Sequence, residues 1–190
     1  MAKDPFEERR KSFEEQYFQK KDAQLVDRLK AVFLKKIDKE SIRQTTGITD
    51  ERLLDDLAEM GLSGELISAF KLYPLVEVAW ADGKVDRREI RAVLDAVERY
   101  SVQKGSSAFR MLENALENGP RHDSRKLWYL YAEELRKVLN PKELETFRND
   151  LLDAARQVAQ ASGGIVNLAF TIDGNEKKVL DAILRALTPE

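Results

Sequence analysis

Cysteine is absent from the 190 residues, and histidine occurs once, at His122. The first absence excludes disulfides, thiolate catalysis and cysteine-ligated zinc. The second leaves no Cys–His dyad and no basis for a Ser–His–Asp triad, because His122 sits in the polar run Gly119-Pro120-Arg121-His122-Asp123 and reads as a solvated loop residue. Glycine and proline are scarce, at nine and five residues. No glycine-rich phosphate loop is present: Ser162-Gly163-Gly164 is not followed by the Lys-Ser/Thr that a P-loop needs. Long hydrophobic runs are missing too, so no membrane span is expected. The opening residues, Met1 to Gln16, are too charged for a signal peptide, and a cytoplasmic chain is the expectation. An excess of one charge is the last absence. Residues 1–64 carry 13 Lys+Arg against 14 Asp+Glu, and residues 65–190 carry 19 against 20. Neither part is a basic arm, so no nucleic-acid partner is expected.

What is present favours helices. Charged residues make up 35% and hydrophobic residues 43%, rich in Glu, Lys, Arg, Leu and Ala, which are strong helix formers. From about Pro5 to Ile37 the spacing predicts one long helix. Phe6 and Phe13 stand seven apart, Phe18 and Leu25 repeat that interval, and Leu29, Val32 and Phe33 continue the stripe. A helix of about 30 residues would be ~45 Å long, which points either to packing on a partner or to folding back on the chain's own core. A polar stretch from Lys39 to Asp50 then links to a short helix with Leu53, Leu54, Leu57 and Met60 on one side, capped by Thr49 or Asp50.

Ser63 opens a segment to Trp80 that Pro74 should kink or break. Further helices are expected from Asp86 to Ser101, Ala108 to Glu117 and Ser124 to Leu139. Asn140-Pro141-Lys142-Glu143 is a strong helix start, and a last helix ends near Leu187. The one strand candidate, Ile165 to Ile172, has no partner. Trp80, Trp128, Tyr129 and Tyr131 fall on apolar faces and read as core. Paired carboxylates are common, but on charged helices they read as i,i+4 ion pairs. No catalytic or cofactor-binding residue stands out, and the chain does not read as an enzyme.

Two segments echo each other. Val78-Ala79-Trp80-Ala81-Asp82-Gly83 matches Val158-Ala159-Gln160-Ala161-Ser162-Gly163 at an offset of 80. Val93-Leu94-Asp95-Ala96-Val97 matches Val179-Leu180-Asp181-Ala182-Ile183 at an offset of 86. Two helical hairpins, each burying one face, would pack about a pseudo-twofold axis. The expected fold is therefore all-α: a two-fold pseudo-repeated helical bundle over residues 63–190, with a helical extension over residues 1–62.

The string VEVAWADGKVDRREIRAVLDAV, Val76 to Val97, resembles the hallmark of the tellurite-resistance TerB-like family: an apolar helix, Ala-Asp-Gly, then an acid-bearing helix start. The resemblance covers about residues 65–190. It implies an all-helical fold of two related halves, a stress-response association through protein–protein contact, and acids able to bind a divalent cation such as calcium or magnesium. Carried over, those acids are Asp82, Asp86 and Glu89. The spacing is not that of an EF-hand, since Arg87 and Val93 stand where its glycine and final glutamate belong. Read without the family, Asp86-Arg87-Arg88-Glu89 is a capping box that needs no metal. In the second copy Ser162 and Asn175 stand where the first has Asp82 and Glu89, with Asp173 and Glu176 nearby but out of register. The N-terminal stretch Phe6 to Ala31 resembles the start of the inhibitory zeta subunit of alphaproteobacterial ATP synthase, with an aromatic-acid-basic opening and Phe-Glu seven residues on. That likeness implies a helix that docks on an enzyme.

Overall fold

A computed structural model describes residues 5–162 and 174–189. These residues form nine α-helices and no strand: α1 (Pro5–Thr46), α2 (Glu51–Glu59), α3 (Gly64–Phe70), α4 (Pro74–Ala79), α5 (Arg87–Arg99), α6 (Ser107–Asn118), α7 (His122–Val138), α8 (Pro141–Ser162) and α9 (Gly174–Ala186). The all-α expectation holds. The strand candidate between Ile165 and Ile172 lies outside the described residues, as does most of the second glycine-containing turn.

Local chemistry sets most of the helix ends. Asp50 Oδ1 accepts the Leu53 N–H at 2.7 Å and so starts α2. Ser63 caps α3 and Ser106 caps α6 by the same device. Asn140 accepts the N–H groups of Lys142 and Glu143 while Glu143 reaches back to the Asn140 N–H, a reciprocal pair that opens α8 at Pro141. Pro74 breaks the segment after Ser63: α3 ends at Phe70, and Pro74 becomes the first residue of α4.

Several boundaries shift by one or two residues from the sequence reading, and one moves much further. Helix α1 does not stop near Ile37 but runs to Thr46, and the expected polar linker is helical over residues 39–46. Ile42 explains it, being fully buried among residues of the second unit. Gly47, at φ +74°, then ends the helix with its N–H on the Arg43 carbonyl. By a smaller margin, α7 begins at His122 instead of Ser124, so the histidine lies in a first helical turn; it is almost wholly solvated all the same.

Contacts divide the chain into Met1–Ile37 and Asp38–Glu190, whereas the sequence reading divides it at 62. Residues 38–62 fall in the larger unit because Ile42, Ile48, Leu53, Leu54, Leu57 and Leu62 are part of its core. In the first unit, the described apolar side chains of α1 are exposed: Tyr17, Leu25, Val26, Leu29, Val32, Phe33, Leu34 and Ile37.

Within the larger unit α4 is the central element. Every one of its six residues is buried, and it packs against α5, α6, α7, α8 and α9. Helix α5 packs on α8, and α8 on α9. The hairpins α4–α5 and α8–α9 therefore share one interior, with Val76, Val93, Ala155, Val158 and Ile183 inside it. Full burial of each larger aliphatic side chain contributes ~1.5–3 kcal/mol. Trp128 and Tyr131 are buried as expected, while Trp80 and Tyr129 are half-buried. Both indoles are satisfied, Trp80 Nε1 donating to the Leu116 carbonyl at 2.9 Å and Trp128 Nε1 to the Lys71 carbonyl at 3.3 Å.

Candidate acidic site at the α4–α5 turn

After Ala79 the chain must leave the core and reverse. Gly83 makes that possible at φ +88°, a conformation costly for residues with a Cβ; the space around it is open, so backbone freedom and not crowding selects glycine. The Asp82 side chain folds back on the turn, Oδ1 accepting the Lys84 N–H at 3.1 Å.

Asp86 then caps α5. Its Oδ1 accepts the N–H groups of Arg88 and Glu89 at 2.6 and 3.0 Å, and Oδ2 meets the Arg88 guanidinium at 3.3 Å. Glu89 Oε2 closes the box by accepting the Asp86 N–H at 2.7 Å. These bonds hold Asp86 below the usual carboxylate range, the Glu89 N–H first among them. Glu89 goes the other way. It is buried, and burial pushes its carboxyl up, helped by the negative charges of Asp86, Asp82 and Glu176. Glu176, in the first turn of α9, is itself buried. The two hairpins thus bring their acid-bearing helix starts near one another.

The three predicted ligands belong to one corner, but one oxygen of each is engaged by backbone N–H groups. Among the described residues no three of His, Asp and Glu stand close enough to hold a metal ion. The capping box, read from sequence as the metal-free alternative, is formed in full. Asp173 lies outside the described residues. The acid that sequence reasoning set aside, Glu176, is the one the fold brings to Glu89. Its only signal was proximity to the second copy's helix start.

A second polar cluster was missed altogether. Glu77, inside α4, is buried, with Oε2 on Arg125 Nε at 3.0 Å and Oε1 without a hydrogen-bond partner. Burial raises its carboxyl, and Arg125 partly opposes that rise. One turn earlier Tyr73 Oη accepts the Arg121 N–H at 2.9 Å. The signal was a lone acid within the apolar run Leu75-Val76-Glu77-Val78-Ala79. Arg125 is half-exposed, and this cluster ties α4 to the start of α7.

Among the described residues, two of the grooves are lined by charged and apolar side chains without a nucleophile–base pair. One of about 460 Å³ is lined by Asp56, Glu59, Met60, Arg121, Asp123 and Lys126 among others. His122 has Asp123 for a neighbour at 4.0 Å and is almost wholly solvated. Among the described residues no helix is long and apolar enough to cross a membrane. Compared with known protein families, curated proteins and solved structures, the chain matches none.

Proposed function

We propose that this chain is a TerB-like stress-associated protein that acts by protein–protein contact and is not an enzyme. The observation that carries the contact reading is the exposed apolar stripe on α1. Leu29, Val32 and Phe33 are 61, 68 and 65% exposed, and contiguous apolar surface of this kind marks interaction sites. The TerB-like part rests on the string from Val76 to Val97 and on a hairpin pair that shares one core, in keeping with two related halves. Binding of a divalent cation belongs to the same reading through the resemblance, which points to Asp82, Asp86 and Glu89; because no three acids among the described residues stand close enough to hold one, it would require the capping box to open.

Three measurements test its parts. Cells depleted of the chain should grow less well on tellurite than their parent; equal growth removes the stress association. Calorimetric titration with calcium, magnesium and manganese should give heat that Asp82→Asn with Asp86→Asn abolishes. Heat that survives the double substitution takes those acids out of the site. Substituting Leu25, Val32 and Phe33 with serine should remove partners captured by the full chain, and an unchanged set would end the contact reading.

The same exposed stripe supports a second reading, a helical regulatory or inhibitory subunit that docks on an enzyme through its N-terminal helix. Capture of an enzyme whose activity falls on addition of the chain, and not of the serine variant, would favour it over the first.

A further inference from the structure

The stripe on α1 has an internal symmetry centred on Leu29. Val26 and Val32 lie three residues to either side of it, Leu25 and Phe33 four, and Asp22 and Lys36 seven. On an α-helix, steps of three, four and seven residues return to within about 60° of the starting direction. These seven residues therefore share one face, and all are exposed. The face is apolar at its middle and carries one acid at its N-terminal end and one base at its C-terminal end. From Asp22 to Lys36 it is ~21 Å long.

We infer that this face pairs with the same face of a second copy of the chain, the two helices running antiparallel about a twofold axis at Leu29. The inference rests on the contact reading above and names the partner. In a twofold interface each residue meets a counterpart set by the symmetry. With the axis at Leu29, Leu29 meets Leu29, Leu25 lies level with Phe33, and Val26 with Val32. Asp22 of each copy falls opposite Lys36 of the other. Every apolar position gains an apolar counterpart, and both charges at the ends are matched. Parallel pairing in register would instead set Asp22 against Asp22 and Lys36 against Lys36, which like-charge repulsion disfavours. A sequence chosen only to cover a dissimilar partner has no reason to read the same in both directions from its centre.

The absence of cysteine makes the test direct. In the full chain, Leu29→Cys should form a disulfide-linked dimer under mild oxidation. Asp22→Cys alone and Lys36→Cys alone should not link, but a mixture of the two should. Light scattering should show the mass of two chains, falling to one on dilution and to one throughout for Leu29→Lys. Asp22→Lys should weaken association about tenfold, and adding Lys36→Asp should restore it. All these positions are exposed, so the fold should tolerate them. A single-chain mass at every concentration overturns the pairing, as does a dimer that Leu29→Lys leaves intact or Asp22→Cys linking readily to itself. If the chain stays single while Leu29→Lys abolishes capture of a different protein, the self-pairing fails and the contact reading stands. If Leu29→Lys changes neither, both fail.

Discussion

Glu77 and Arg125, 48 residues apart in sequence, meet at 3.0 Å across the α4–α7 contact, and the second oxygen of Glu77 is buried with no partner. Burying a carboxylate is costly unless its lone pairs are satisfied. Half of this one is not. The pair is therefore an asymmetric device, its acid sealed in the core and its base half in water.

Breaking the pair from the Arg125 side should be expensive. Arg125→Ala would leave a buried charge unmatched, which costs ~3–5 kcal/mol in a fully buried pair. Because Arg125 is half-exposed and Glu77 can take up a proton, about 2 kcal/mol is expected near neutral pH. In acid, where Glu77 is protonated, the loss should shrink towards nothing. Urea denaturation of both proteins at the two pH values measures this, and an equal loss in each would mean the arginine acts by packing alone.

Removing the acid should have the opposite sign. Glu77→Met keeps a similar volume and eliminates both buried oxygens, while Arg125 is free to turn to solvent. Stabilisation of about 1 kcal/mol near neutral pH follows. The folded-state pKa of Glu77 lies above its ordinary 4.5, so between 4.5 and the raised value the native state binds a proton more readily than the unfolded chain. Its contribution is greatest below 4.5 and is lost as pH rises through the raised value. The variant's advantage should accordingly vanish on acidification. Thermal midpoints across the range decide it.

Asp86 and Glu89 share one capping box and titrate in opposite directions. Asp86 is lowered from 3.8, so the cap's contribution is present above that value and disappears as pH falls through the depressed one. Glu89 is raised from 4.5, so its contribution is complete below 4.5 and disappears as pH climbs through the elevated one. Asp86→Ala should cost ~1 kcal/mol near neutral pH and little in strong acid. Glu89→Gln keeps an acceptor for the Asp86 N–H and should flatten the decline from acid to neutral. If both variants track the parent at every pH, the box contributes nothing to stability.

The parts of this fold that depend on neighbours in sequence could be read in advance, and those that depend on distant neighbours could not. Asp50, Ser63, Asp86 and Asn140 act within three residues, so their patterns carried the helix starts. Pro74 acts through its own ring and the preceding turn, and the break appeared where expected. The passage of α1 beyond Ile37 was hidden because Ile42 stands five residues on, off the helical repeat, and its burial comes from other helices. The acidic corner was half legible. Asp82, Asp86 and Glu89 lie within eight residues, whereas Glu176 comes from the far hairpin and is close only once α8 and α9 have packed on α4. Arg125 belongs to the same class: nothing in an apolar run around Glu77 says which cation will reach it.

Tyr73 offers a simple check on the α4–α7 connection. Its hydroxyl accepts the Arg121 N–H just before α7 begins, and the ring lies against Phe70 with centroids 5.6 Å apart. Tyr73→Phe keeps the ring and removes the acceptor, so about 1 kcal/mol should be lost. Amide exchange at Arg121 should rise in the same variant. Unchanged exchange there would mean the N–H finds another acceptor.

Gly47 separates two sources of strain at the end of α1. Its φ of +74° disfavours any residue with a Cβ, and a Cβ built there would stand 2.9 Å from Val138 Cγ1. Gly47→Ala should therefore destabilise the protein by ~1–2 kcal/mol. The dihedral is expected to supply most of this, because Val138 is 40% exposed and has room to rotate away. Comparing Val138→Ala in the parent and in the Gly47→Ala background isolates the steric share through a double-mutant cycle. A small coupling energy fits a left-handed backbone as the reason for glycine. Coupling that recovers nearly the whole loss would instead make the contact with Val138 the cause, and Gly47→Asn, which tolerates positive φ but also carries a Cβ, would then be as damaging as alanine.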